Sequence, residues 1–273
     1  MTFDARETSR SLGTPRTLIK FSYQNQMYAY TDNERAIVHD SVTYAPIPLR
    51  RDSITASGSL DKAALNITLP HDNPVCDLFK VAPPSERVVV TVFQGHLEEA
   101  EYLAVWIGRV LSCARSRSEG TLRCEPASTS MRRPGLRRRY QYGCSHALYG
   151  PQCRAVREDF TVTPVTTYVS GARIGFANGW NGAFAEMRFA QGLFSFTDAG
   201  ITHYRTILQV DQALNRILVT GVVPDLIVGS TVSLSLGCNH LEDGCNVFDN
   251  IQNFGGMPWI PTENPLGQKN IFT

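Results

Sequence analysis

Four cysteines in two widely separated pairs are the residues of this chain best suited to chemistry. The first pair lies in Gly143-Cys144-Ser145-His146-Ala147-Leu148-Tyr149-Gly150-Pro151-Gln152-Cys153, the second in Gly237-Cys238-Asn239-His240-Leu241-Glu242-Asp243-Gly244-Cys245. Between Cys153 and Cys238 run 84 residues that read as a strand-rich module. Cys144, Cys238 and Cys245 each follow a glycine, and Cys153 follows Gly150-Pro151-Gln152. Glycine lets a loop fold tightly around a centre and brings backbone N–H groups close to sulfur. Clustered thiolates select zinc or iron–sulfur clusters. Zinc fingers and ribbons usually space paired ligands about two to four residues apart. The gaps here are eight and six residues. Such loops fit a bulky iron–sulfur cluster more easily than one small ion, without excluding zinc. Disulfides and free thiols are the remaining readings.

The spacing leads us to expect all four sulfurs at one point, one pair at the start of the module and the other at its end. A link across a loop of this length constrains the unfolded chain by roughly 4 kcal/mol, by analogy with a disulfide. The centre therefore reads as structural first and redox-active second. His146 and His240 each sit two residues after a cysteine of the set. Either side chain can donate to sulfur or replace a thiolate, and the plainer reading is two loop histidines. Glu242 and Asp243 read as a solvated turn.

The chain has seven cysteines. Cys113 and Cys124 fall on an alternating hairpin whose expected turn, at Ser118-Glu119, sets them opposite each other. Leu111, Cys113, Leu122 and Cys124 then share an apolar face, with the two cysteines as core thiols and a cross-strand disulfide as the lesser reading in a reducing compartment. Cys76 lies in a short helical turn and reads as core. Met131-Arg132-Arg133-Pro134-Gly135-Leu136-Arg137-Arg138-Arg139 is an arginine-rich connector. It can bind phosphate, but it lacks the interleaved aromatics of single-strand binders. An interface or charge-balancing role suits it better.

With 273 residues, 42% hydrophobic and 19% charged, the chain is large enough for two domains with real cores. A net charge of +1 gives no sign of general nucleic-acid binding. No apolar stretch has membrane-spanning length, and Met1–Glu7 lacks the pattern of a signal peptide. Folding in a cytosol, with reduced thiols, is expected. No phosphate loop, zinc-protease helix or nucleophile elbow appears, so no catalytic residues are assigned and an enzyme is not expected.

The elements that position the cysteines are short strands. Expected strands cover 17–23, 26–31, 42–44, 53–56, 65–69, 87–93 and 104–110, with a helical turn around 74–81. Seven more lie between 160 and 236. The fold class is all-β, two β-barrel-like domains with little helix. The expected divisions are 1–128 (a β-rich domain), 129–157 (connector with the first cysteine pair), 158–237 (second barrel) and 238–273 (second pair and extended tail).

Tyr142-Gly143-Cys144 through Cys153, with Gly237-Cys238 through Cys245 and Phe248-Asp249-Asn250-Ile251-Gln252-Asn253-Phe254-Gly255-Gly256, resembles the tail-tip (baseplate) hub proteins of long-tailed phages and gene-transfer agents. The minor tail protein L of lambda-like phages is similar in kind. The specific part of the resemblance spans roughly residues 140–262; the first block fits only in its β-rich character. The resemblance implies a virion structural protein at the distal end of the tail, assembled in the host bacterial cytoplasm. It implies a [4Fe-4S] cluster on Cys144, Cys153, Cys238 and Cys245, with zinc as the alternative. The implied partners are further copies in a homotrimer on the tail axis, the distal tail protein ring and a central fibre or spike, with no membrane and no sequence-specific nucleic acid. The competing readings are a zinc-stapled binding module and a tail-associated cell-wall hydrolase.

Overall fold

A computed structural model of the chain describes residues 6–9, 13–54, 64–97, 101–132 and 140–261, and the statements below concern these. Residues 1–133 with 199–201 form one compact unit, and 134–198 with 202–273 a second.

The first unit is built on a nine-stranded sheet. Its strands are β1 (Pro15–Tyr23), β2 (Gln26–Thr31), β3 (Ile37–His39), β4 (Val42–Pro46), β5 (Arg50–Arg51), β6 (Leu65–Pro70), β7 (Val88–His96), β8 (Tyr102–Arg115) and β9 (Glu119–Pro126). Their order across the sheet is β3-β4-β2-β1-β7-β8-β9-β6-β5. Alternation decides which side chains go inward. Ile19, Phe21 and Tyr23 of β1, Leu65, Ile67 and Leu69 of β6, and Val88, Val90 and Val92 of β7 meet in one core. Leu18, on the other face of β1, packs with Tyr44 and Tyr102. β1 is therefore covered on both sides.

Between β6 and β7 lies a single helical turn, α1 (Pro74–Asp77). Asn73 accepts from the Val75 N–H at 3.0 Å, and Pro74 stands in the first turn, where its missing N–H costs nothing. Val75 and Cys76 turn into the core.

The cysteine hairpin is real, but its expected register is not. Ser116 and Glu119 close the turn, with Ser116 N–H donating to the Glu119 carbonyl at 2.8 Å. Cys113 then faces Leu122, and a bulge between Val110 and Ser112 sets Cys124 opposite Val110. The shared apolar face breaks at the bulge: Leu111 is exposed, while Leu122 and Cys124 are buried. β3 and β5 were not anticipated. Ser53 and Ile54, expected in a strand, lie beyond the end of β5. Residues 55–56 of that strand, 133–139 of the arginine run and 262–273 of the tail lie outside the described residues.

The second unit carries a seven-stranded sheet. It comprises β10 (Thr161–Val162), β11 (Thr166–Ser170), β12 (Arg173–Phe176), β13 (Leu193–Asp198), β14 (Ile201–Asp211), β15 (Arg216–Val219) and β16 (Ser233–Ser235). The order is β10-β16-β13-β14-β15-β12-β11. Trp180, in the glycine-rich loop after β12, is buried between Phe176 and Phe189, with ring centroids 5.2 and 4.9 Å away. Past β16 a second short helix, α2 (Glu242–Val247), leads into the tail. The architecture is all-β with two sheets and little helix. Among the described residues no helix is long and apolar enough to cross a membrane.

Candidate four-cysteine site

Both cysteine pairs belong to the second unit. Cys144 and Cys153 stand in the irregular segment before β10, Cys238 stands three residues past β16, and Cys245 is on α2. The two loops are joined directly: the Cys144 N–H donates to the His240 carbonyl at 2.6 Å. Below them, Tyr149 and Phe160 pack edge-on against Phe248, at 6.0 and 4.7 Å between centroids. The Tyr149 hydroxyl also donates to the Leu236 carbonyl at 2.8 Å, tying the first loop to the end of β16.

All four cysteines line one small cavity, with His146, His240, Phe248 and Asn250 around them. The two loops, distant along the chain, bring their cysteines together around it. Among the described residues no three His, Cys, Asp or Glu side chains stand close enough to hold a single metal ion. Each sulfur takes part in a hydrogen bond of its own.

Those bonds are N–H donors aimed at sulfur. The His240 N–H points to Cys238 Sγ at 3.3 Å, and the Gly255 N–H to Cys144 Sγ at 3.2 Å. The Asn250 side-chain amide reaches Cys153 Sγ at 3.6 Å and the Cys153 carbonyl at 2.5 Å. The fourth thiol, Cys245, donates to the Asn250 carbonyl at 3.1 Å. Donors directed at sulfur stabilise thiolate and tune a bound cluster. Burial pushes the Cys238 thiol up, and Cys144 and Cys153 push it further, while the His240 N–H draws it part of the way back. Burial, then Cys238, Cys144 and Cys153, push Cys245 up to about 11. Cys238 and Cys245 thus favour their protonated forms, and binding a cation there would release protons. Four thiols around one cavity, with N–H donors on three of the sulfurs, fit a polynuclear iron–sulfur group.

Both histidines stand in loops. His240 acts through its backbone, giving both its N–H and its carbonyl from a left-handed conformation at φ +60°. His146 is buried, its Nδ1 lies 3.0 Å from the Asn253 carbonyl, and its ring packs against Gly255. Asp243 accepts from the Asn239 side-chain amide, at 3.1 Å to each oxygen.

The residue missed at the sequence level is Asn250. It is buried, it contacts both Cys153 and Cys245, and its Oδ1 accepts from Asn253 Nδ2 at 2.6 Å. The density of amides after Cys245 is the one signal that marked it. Asn250→Ala is expected to leave the Cys153 carbonyl and the Asn253 amide short of partners and to cost about 2–3 kcal/mol. Urea unfolding of the two proteins checks this.

Comparison with known proteins adds three findings. A family described as "Phage conserved hypothetical protein BR0599" matches residues 187–264, which hold Cys238, Cys245 and Asn250. An "Uncharacterized protein" of Xylella fastidiosa (strain 9a5c) is 26% identical over 166 residues, 56% of this chain. The chain spans about a third of that relative's length, 35% of it being covered. A chain from the structure described as "Virion of native gene transfer agent (GTA) particle" superposes with a TM-score of 0.80 at 15% identity, covering 100% of this chain and 96% of that one. At that identity the likeness is one of fold.

Proposed function

We propose that this chain is a structural protein of a phage or gene-transfer-agent virion and carries no enzymatic activity. The observation that carries the reading is the full-length fold likeness to a chain of a gene-transfer-agent particle. The phage-described family match over the second cysteine pair supports it. The finer assignment is a tail-tip hub at the distal end of the tail, homotrimeric on the tail axis, between the distal tail ring and a central fibre or spike. It rests on the resemblance of the cysteine loops.

In this reading Cys144, Cys153, Cys238 and Cys245 hold an iron–sulfur cluster. When bound, the cluster supplies four thiolate links between the segment before β10 and the segment after β16. The chain's own contribution is the cradle: Gly255 and Asn250 bring the tail onto the sulfurs, and His240 joins the two loops. The four cysteines around one cavity, with N–H donors on three of the sulfurs, support this reading.

The test is the iron, zinc and acid-labile sulfide content of protein purified without oxygen, with its visible spectrum. Iron and sulfide near four each per chain and a brown colour are expected. About one zinc per chain without colour would replace the cluster by zinc. No metal would remove the centre. The virion assignment has a separate test, immunogold labelling of particles, for which a label at the tail tip is expected. Label on the capsid, or none, would overturn the tail-tip placement.

A further inference from the structure

Outside the four-cysteine site a second pair of thiols meets. Cys76, on α1, is fully buried; Cys113, on β8, is partly exposed. Cys113 is a close neighbour of the Cys76 thiol and raises its pKa. Both sulfurs lie over Gly120 of β9: a Cβ there would stand 2.5 Å from Cys76 Sγ and 3.5 Å from Cys113 Sγ. The absence of a side chain at Gly120 makes the room in which they meet. The adjoining residues are linked too. Arg115 follows Cys113 by two positions on the strand, so it shares its face. Its Nη2 reaches the Asp77 carboxylate, next to Cys76, at 2.7 Å. Two contacts therefore hold α1 against β8 side by side. Cys124 is unlike this pair. It is buried in the core and its thiol points to the Leu122 carbonyl at 3.8 Å.

We propose that Cys76 and Cys113 form a dithiol site that a small-molecule disulfide, such as oxidised glutathione, converts to an intramolecular disulfide. The Cys113 thiolate attacks one sulfur of the oxidant, forms a mixed disulfide and releases one glutathione thiolate. Cys76, once deprotonated, attacks the Cys113 sulfur and expels the second. The two protein thiols give up two protons and two electrons, and the oxidant's S–S bond becomes two glutathione thiols. Burial, then the neighbouring Cys113, push the Cys76 thiol up to about 12, so the second attack is the slow one. In a reducing cytosol the pair stays reduced; in an oxidising medium the link closes and fastens α1 to β8. Both thiols belong to the first unit, and the site is independent of the virion and cluster readings.

The experiment uses the full chain, purified reduced and incubated with excess oxidised glutathione. Remaining thiols are alkylated, and the unreduced digest is mapped by mass spectrometry. The expected result is a peptide holding Cys76 joined to one holding Cys113 in most chains, with Cys124 alkylated. In Cys113→Ser, Cys76 is expected to remain an alkylatable thiol. Three results would overturn the proposal: glutathione retained on Cys113, Cys113 joined to Cys124, or both Cys76 and Cys113 alkylated after the incubation. A Cys113→Ser protein that fails to fold leaves the wild-type map to decide.

Discussion

With the proposed cluster in place, Cys238→Ser is expected to lose iron and sulfide and to unfold about 4 kcal/mol more easily than the parent, the constraint on a loop of this length by disulfide analogy. Cys238 follows β16, the partner of β13 and β10, so in the proposed cluster its sulfur would tie the sheet to the first cysteine loop. Serine removes the thiolate and leaves the His240 N–H aimed at a weaker, shorter acceptor. The remaining cysteines then hold an incomplete set. Metal and sulfide assays, run beside urea unfolding, read both effects. Full iron content and unchanged stability in the variant would remove Cys238 from the ligand set.

The second large effect is expected at the preceding residue. A Cβ on Gly237 would stand 1.9 Å from the Ala190 carbonyl oxygen and 2.6 Å from the Gly192 nitrogen. Both obstacles are backbone, so no side chain can rotate away. The Gly237 N–H is itself held by the Arg188 carbonyl at 2.8 Å. Gly237→Ala must push the end of β16 away from residues 188–192, at a cost of about 3 kcal/mol or more. Because Cys238 moves with it, metal content is expected to fall as well. Gly179→Ala is the contrast. That residue has φ +77° and nothing within 4 Å of its Cβ position, so it bears only backbone strain, about 1 kcal/mol. Urea midpoints of the two variants measure the difference. A Gly237→Ala protein no weaker than Gly179→Ala would show that residues 188–192 yield freely.

Much of the local structure was legible along the chain. The alternation in Leu65–Pro70 reads as a strand with one buried face, and β6 buries Leu65, Ile67 and Leu69. The helical turn expected around 74–81 is present as α1, limited to Pro74–Asp77. β3 and β5, with three and two residues, are too short to carry a periodic signal; their partners hold them in place. The cysteine hairpin failed in register because a shift of one residue in the turn and one bulge re-pair every position.

The sequence by itself determined the all-β class, the short helical turn at α1 and the grouping of Cys144, Cys153, Cys238 and Cys245 in two glycine-flanked loops. These follow from patterns a few residues long, which act wherever the segment ends up. Only the tertiary structure decided that the four sulfurs surround a cavity, that Asn250 bridges two of the cysteines, and that Cys76 meets Cys113 over Gly120. These contacts join residues distant along the chain, and their geometry depends on sheet register and loop closure together, which no local pattern contains.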